Sequence, residues 1–329
     1  MTVAALPPVI ISETSDSPRA IQSPRSFLDR LFRLVLMGCA GTVVVLIFAI
    51  ILFLAQKAWP VLQSSGLSFF TTSVWRPGVI GQYGILGDLI GTVTVAVVAL
   101  VFAFPISLAT ALAINQYVPG AARRVLIMLV DLLAAVPSLV YGLWGVFVFD
   151  AWLTGPTTWM SKYAAFFPLF RPGPGALGRS LFACGLVVAI MVTPIITSVS
   201  REVMSQTPVE QCEGALALGG TKWGVITDVI LPFARNGIIG AALLGLGRAL
   251  GETMAVTLIL SITTNPTPTS HILYAGGGTI PALIVDWYSQ VGPGRGLDAL
   301  TLAGLTLFAL TLAVNIFARM IVSKSARTA

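Results

Sequence analysis

The chain has 329 residues, of which 56% are hydrophobic and only 10% charged, with 19 Lys and Arg against 13 Asp and Glu. A water-soluble globular protein of this size needs far more charge to cover its surface, and the mean hydropathy of +0.91 places the chain in a membrane. The net charge of +6 and pI of 9.5 call for no nucleic-acid partner, because no soluble domain is present to concentrate the positive charge.

Residues 1–25 are rich in Pro, Ser and Thr, lack a hydrophobic period, and read as a disordered cytoplasmic tail. The stretch SFLDRLFRLVL at 26–36 fits either an amphipathic lead-in or charges that simply set topology. Crossing a hydrocarbon core takes roughly 20 apolar helical residues. Six runs meet that need: 34–56, 86–114, 125–150, 180–200, 236–262 and 299–319. The first is too long for a signal-peptide core, and LAQKAWP after it is a poor cleavage site, so it is expected to stay as a helix. No blocks of about ten alternating residues recur, which argues against a β-barrel. The expected fold is an all-α integral membrane protein with six transmembrane helices. Its order is a tail (1–33), a first helix (34–56), an outer loop (57–85), a membrane core (86–322) and a cytoplasmic tail (323–329). The outer loops 57–85, 151–179 and 263–298 are rich in Pro, Gly and aromatics; short helices or turns are expected there, and any solute-capturing domain belongs to a different polypeptide.

With both ends in the cytoplasm, twelve of the 19 basic residues fall inside and six outside, a positive-inside asymmetry. Arg319 counts among the inside charges and Arg248 lies in the membrane. Trp59, Trp75, Trp152, Trp159 and Trp287 then lie near the outer boundary, as interfacial anchors do. Cys39, Cys184 and Cys212 form no CxxC pair, so neither a disulfide framework nor a metal site is expected, and the single histidine, His271, reads as a surface residue.

The inner segment 201–235 carries the strongest local signals. Thr207, Pro208 and Glu210 have the spacing of a capping box with Pro at the first helical position. A short helix is expected to Leu218, with Gly219 and Gly220 supplying a left-handed cap and Thr221 capping a second helix that leads to Pro232. Either a docking element or a hairpin lying on the membrane surface would use this chemistry.

EGALALGGTKWGVITDVILP resembles the EAA loop of bacterial ABC importer permeases. Glu213, Ala215, Gly219, Val229, Leu231 and Pro232 fall on that pattern, with Gly214 in place of its first alanine. The resemblance implies a type I importer permease in which the short helix docks in a groove of an ATPase subunit, with Glu210, Glu213, Gly214, Ala215, Leu218, Gly219, Thr221, Leu231 and Pro232 forming the coupling surface. The chain has no GxxxxGK[ST] sequence, so ATP and its magnesium belong to a partner ATPase and the chain itself is not expected to be an enzyme or to bind a cofactor. ARNGIIGAALLGLGRALGETMAVTLIL, LLAAVPSLVYGLWGVFVF, IMVTPIITSVSREVM and SFFTTSVWRPG resemble the phosphate-importer permeases of the PstC type. That resemblance covers most of 65–320. It implies a bacterial inner-membrane assembly with a second, PstA-type permease, two ATPase subunits and an extracytoplasmic phosphate-binding protein. A permease for sulfate or molybdate, or a channel or secondary transporter acting without ATP, stands as the alternative.

Within GLGRALGETMA, Arg248 and Glu252 are four residues apart. If the helix starts near Arg235, Arg248 sits about 20 Å in, at mid-membrane, and Glu252 shares its face and partly neutralises it. An arginine there costs about 2.5–3.5 kcal/mol to insert and so faces a partner or a wet path. Guanidinium offers paired donors that match phosphate oxygens. The expected substrate path comprises Arg248, Glu252, Thr253, Ser138 and Thr92; an ion pair that only fixes packing is the other reading. The hydroxyls of Thr92, Thr94 and Ser138 could equally bond backbone carbonyls. Gly247 with Gly251 and Ala241 with Gly245 form small-xxx-small pairs, suited either to a second subunit or to internal packing. Pro137 is expected to kink the third span, and Asp88 and Asp131 to sit near helix starts.

Overall fold

A computed structural model describes residues 27–76, 81–167, 170–171, 177–260, 272–273 and 275–325. The tail at 1–25 and His271 lie outside the described residues, as do parts of the expected outer loops. The chain divides into two compact units, residues 1–50 and 51–329. In the first, Phe27–Ile50 is helical throughout and forms the beginning of α1 (Phe27–Ser65). The first span therefore extends beyond the expected 34–56 at both ends.

The second unit holds the end of α1, then α2 (Ser68–Thr71) and a two-stranded antiparallel hairpin, β1 (Trp75–Arg76) with β2 (Gln82–Tyr83). Next come α3 (Leu86–Leu112), a π-helical turn at Ala113–Tyr117, α4 (Gly120–Ala135) and α5 (Ser138–Trp144). A second π-helical turn, Gly145–Phe149, leads into α6 (Asp150–Tyr163), followed by α7 (Leu181–Ser205), α8 (Val209–Ala217) and α9 (Lys222–Val225). A third, Ile226–Ile230, leads into α10 (Leu231–Leu250), and α11 (Met254–Ile259), α12 (Ile280–Tyr288) and α13 (Arg295–Ser325) complete the chain. Among the described residues, six helical stretches are long and apolar enough to cross a membrane: Phe27–Ser65, Leu86–Tyr117, Ser138–Tyr163, Leu181–Ser205, Lys222–Leu250 and Arg295–Met320.

Two expected spans are redrawn. The run 125–150 is not one kinked helix but two helices separated at Val136–Pro137. Pro137 has no N–H to donate and its ring pushes the preceding residue into extended backbone; Val136 has φ −63° and ψ 128°. The membrane-crossing stretch accordingly begins at Ser138 and runs on to Tyr163. Asp131 thus lies toward the C-terminal end of α4, not at a helix start, and its carboxylate accepts a hydrogen bond from Ser198 Oγ of α7 at 3.2 Å. Asp88 does lie in the first turn of α3. The run 236–262 is likewise broken: α10 stops at Leu250 and α11 starts at Met254.

The centre of the second unit is α7, packed chiefly between α3 and α10. Lipid offers no hydrophobic drive to join helices, so close contact comes from small residues and a few polar bonds. On α3 the buried residues Gly91, Val95, Ala96, Ala99, Ala103, Ser107 and Ala111 recur at helical spacing and make one narrow face. Ser107 Oγ donates to the Thr193 carbonyl of α7 at 3.0 Å. On α10, Ala241 and Gly245 are buried, and a side chain at 245 would run into Ile196 of α7. This pair packs internally. Gly247 has no atom within 4 Å of where its Cβ would stand.

A second core holds the opposite end from α8: Ala58 and Val61 of α1, Phe69, Trp75, Ile85, Ile280 and Leu300 pack together. There Gly91 of α3 lies against the Gly278 carbonyl, so closely that a methyl group at 91 would collide with backbone. Gly91→Ala is expected to destabilise the protein by about 1–3 kcal/mol, read as a lowered midpoint of thermal unfolding in detergent. An unchanged midpoint would mean that the α3–α12 contact is loose.

Candidate functional site

The helix break at 251–253 sets the geometry around Arg248. Glu252 is buried, and its Oε1 accepts the Ala255 N–H at 3.3 Å, satisfying one of the free donors at the start of α11. Thr253 Oγ1 donates back to the Gly251 carbonyl at 3.1 Å. Glycine's low helix propensity at 251 and these side-chain bonds give the backbone an alternative to continuing the helix. α11 then packs on α5 and the π-helical turn after it, where Gly142 of α5 leaves room for the Ala255 backbone and Gly145 of the turn for Ile259.

The expected one-face pairing of Arg248 and Glu252 is therefore corrected. Arg248 lies in the last turn of α10 and Glu252 lies beyond it, and no ion pair within 4.0 Å joins them among the described residues. Arg248 instead is exposed and lines a cavity of about 1200 Å³ between α10, α13 and Ile195 of α7, with Asn236, Asn315 and Arg319 also on its wall. Glu252, Thr253, Ser138 and Thr92 are not among the residues that line it. Thr92 is buried between helices: its hydroxyl donates to the Asp88 carbonyl at 2.6 Å and accepts the Ile280 N–H at 3.0 Å, joining α3 to the start of α12. Ser138 begins α5 directly after Pro137 and is half-buried. Sequence reasoning missed Asn236 and Asn315. The available signal was Asn315 itself, an amide inside an otherwise apolar run, whereas Arg319 was counted only as a topology charge.

The cap by Glu252 carries a stability prediction. Glu252→Gln retains an acceptor oxygen and should leave the thermal midpoint unchanged, while Glu252→Ala should cost about 1 kcal/mol, the usual worth of a lost helix cap. Equal midpoints for the two variants would remove the cap from the account.

At the other end of α10, the 206–232 segment holds the short helices α8 and α9 and the π-helical turn into α10. α8 starts one residue later than the capping box implies: Thr207 Oγ1 donates to the Met204 carbonyl at 2.9 Å, closing α7, and does not cap α8. With Pro208 as the preceding residue, no side-chain cap forms there. The C-terminal cap forms as the sequence predicts. Gly219 has φ +85°, its N–H bonds the Leu216 carbonyl at 3.0 Å, and the Gly220 N–H bonds the Ala215 carbonyl at 3.0 Å. Thr221 Oγ1 accepts the Gly224 N–H at 3.1 Å and caps α9. Glu210, Glu213, Gly214 and Leu218 are exposed, Ala215 is half-buried, and Leu231 and Pro232 open α10. Lys222 Nζ stands 4.5 Å from the centre of the Tyr117 ring, tying the base of this segment to the end of the second span.

Residues 103–327 match the family model described as binding-protein-dependent transport system inner membrane component. The chain is 38% identical over 297 residues to the phosphate transport system permease protein PstC 2 of Mycobacterium tuberculosis, covering 89% of this chain and 91% of the relative. It is 41% identical over 276 residues to the PstC protein of Mycobacterium leprae (82% and 85%) and 35% identical over 324 residues to that of Haemophilus influenzae (92% and 96%). In fold it is similar to a chain of a bacterial alginate ABC transporter, with a TM-score of 0.61 at 18% identity over 88% of this chain and 93% of the other. A chain of the MetNI methionine ABC transporter gives a TM-score of 0.52 at 16% identity over 73% and 95%. With six stretches among the described residues long and apolar enough to cross a membrane, and an exposed, Gly-capped helix on the EAA pattern, this chain belongs to the family of binding-protein-dependent transport system inner membrane components.

Proposed function

We propose that the chain is one permease subunit of an ATP-driven importer of inorganic phosphate, contributing half of the translocation path. The observation that carries this reading is Arg248, an always-charged fork of donors on a membrane-crossing helix, facing an open cavity that no carboxylate lines among the described residues. The solute class follows the relatives named phosphate permeases. The assembly we propose adds a second permease of the PstA type, two ATPase subunits that handle ATP and magnesium, and an extracytoplasmic phosphate-binding protein. The chain is its non-catalytic membrane part, with both termini in the cytoplasm. In this scheme closure of the ATPases pushes on α8. The cap at Gly219 keeps that helix stiff, and the movement passes through α9 and the π-helical turn into α10, where Arg248 meets phosphate. The weak binding that transit requires is served by an arginine on an open wall, not enclosed in a tight clamp.

Uptake by the full assembly, reconstituted in vesicles with ATP and the loaded binding protein, tests the proposal. ATP-dependent accumulation of phosphate is expected. Uptake of sulfate or molybdate in its place, or uptake that ignores ATP, would overturn it.

A further inference from the structure

The cavity that holds Arg248 has a second polar station. On α10, Asn236, Gly240, Gly247 and Arg248 share one face, at offsets of four, eleven and twelve residues. At Gly240 and Gly247 a Cβ would meet nothing within 4 Å, so the wall between the two polar groups is low and open. Twelve residues of α-helix put Asn236 about 18 Å along the axis from Arg248. Across the cavity, Asn315 and Arg319 are four residues apart on α13 and both line it. α10 and α13 belong to consecutive membrane-crossing stretches, which must run in opposite directions. Asn236 lies in the second turn of α10, soon after the α8–α9 segment, so Asn315 and Arg319, late in α13, lie toward that same end.

The chemistry of this end is one-sided. Two arginines and two amides line the cavity, and among the described residues no Asp or Glu lines its wall. Low-dielectric walls bearing one sign of charge focus the field along a cleft. Lipid is a poor environment for such a face. A guanidinium facing hydrocarbon is costly, and charged or amide side chains in membrane segments line cavities and paths.

We propose that Asn236, Asn315 and Arg319 form a departure station for phosphate, a second anion site between Arg248 and the α8 end. An oxyanion leaving Arg248 toward the ATPases then meets donors and a second cation in place of bare apolar wall. Two sites of moderate strength, not one tight clamp, let the anion enter and leave. This inference rests on the reading of the chain as a phosphate permease and adds the exit side of its path.

The test compares Asn315→Asp with Asn315→Leu and with Arg319→Gln in the complete assembly, reconstituted in vesicles. Phosphate uptake and ATP hydrolysis stimulated by the binding protein are measured together. Aspartate keeps the shape of asparagine and adds a negative charge, so a packing role ranks it above leucine and an anion path ranks it below. The expected result is a fall in phosphate moved per ATP of about tenfold for Asn315→Asp, with smaller losses for Asn315→Leu and Arg319→Gln, at retained ATPase stimulation. Aspartate performing as well as leucine or better, or all three within twofold of the parent, would overturn the station. A phosphate-bearing lipid headgroup would use the same donors. If the deficits vanish in vesicles of neutral phosphatidylcholine but persist with phosphatidylglycerol, the site serves lipid and the proposal falls. Arg248→Gln in the same vesicles separates the two readings: its loss beside normal Asn315 and Arg319 variants removes only the station, whereas a parent assembly that moves no phosphate removes both.

Discussion

Arg248→Gln is expected to lower phosphate uptake by about two orders of magnitude while leaving assembly and ATPase stimulation in place. A hydrogen bond to a charged group contributes about 1.5–3 kcal/mol, and each 1.36 kcal/mol is tenfold in rate, so losing a two-pronged contact of about 3 kcal/mol gives roughly a hundredfold. Glutamine keeps a donor and much of the length but neither the charge nor the fork. Arg248→Lys restores charge without the planar pair of donors and should recover about tenfold of the loss. The assay is ATP-dependent uptake of phosphate at saturating loaded binding protein, with ATP hydrolysis as the control. Because Arg248 is exposed to the cavity and makes no ion pair with Glu252 within 4.0 Å, its removal strands no buried counter-charge, and a loss of uptake reports on the path and not on folding. Uptake within twofold of the parent would take Arg248 out of the path.

How much of this arrangement was legible beforehand varies by element, for physical reasons. Hydrophobic run length located the membrane-crossing stretches because a hydrocarbon core imposes a minimum length. Gly219–Gly220 and Thr221 were readable because a left-handed cap and an N-cap are local: they depend on residues within one turn. Thr207 failed as a cap because its hydroxyl had a competing acceptor in the preceding helix, the Met204 carbonyl. The break after Leu250 was hidden, since GETMA contains no proline and helical spacing alone put Arg248 and Glu252 on one face. Its cause lies partly in tertiary packing, with α11 seated against Gly142 of α5 and Gly145 of the π-helical turn that follows. Asn236, Asn315 and Arg319 are brought together only by α10 and α13 packing side by side. No periodicity within either helix announces that convergence.

The second large effect is expected at Leu218. Its side chain is 92% exposed, at the tip of a helix on which Val209 and Leu216 are also exposed, with Trp223 exposed on α9. An apolar knob held by a left-handed glycine is stiff enough to seat in a pocket of a partner, and hot-spot side chains at such interfaces contribute about 2 kcal/mol or more. Leu218→Asp would place an unpaired carboxylate in that pocket. The ATPase subunits should then bind the membrane part about thirtyfold more weakly, the equivalent of about 2 kcal/mol, and uptake should fail even where ATP is still hydrolysed. Leu218→Met, of similar volume, should be close to the parent. Gly219→Val attacks the same knob from the backbone: a β-branched residue at φ +85° costs about 1–2 kcal/mol and loosens the two capping bonds to Ala215 and Leu216. It should therefore weaken coupling, measured as phosphate moved per ATP, more than it weakens ATPase binding. If the segment instead lay on the membrane surface, Leu218→Asp would leave ATPase binding intact and alter only its contact with lipid. Co-purification of the ATPase with the Asp variant at parental affinity would decide for that arrangement.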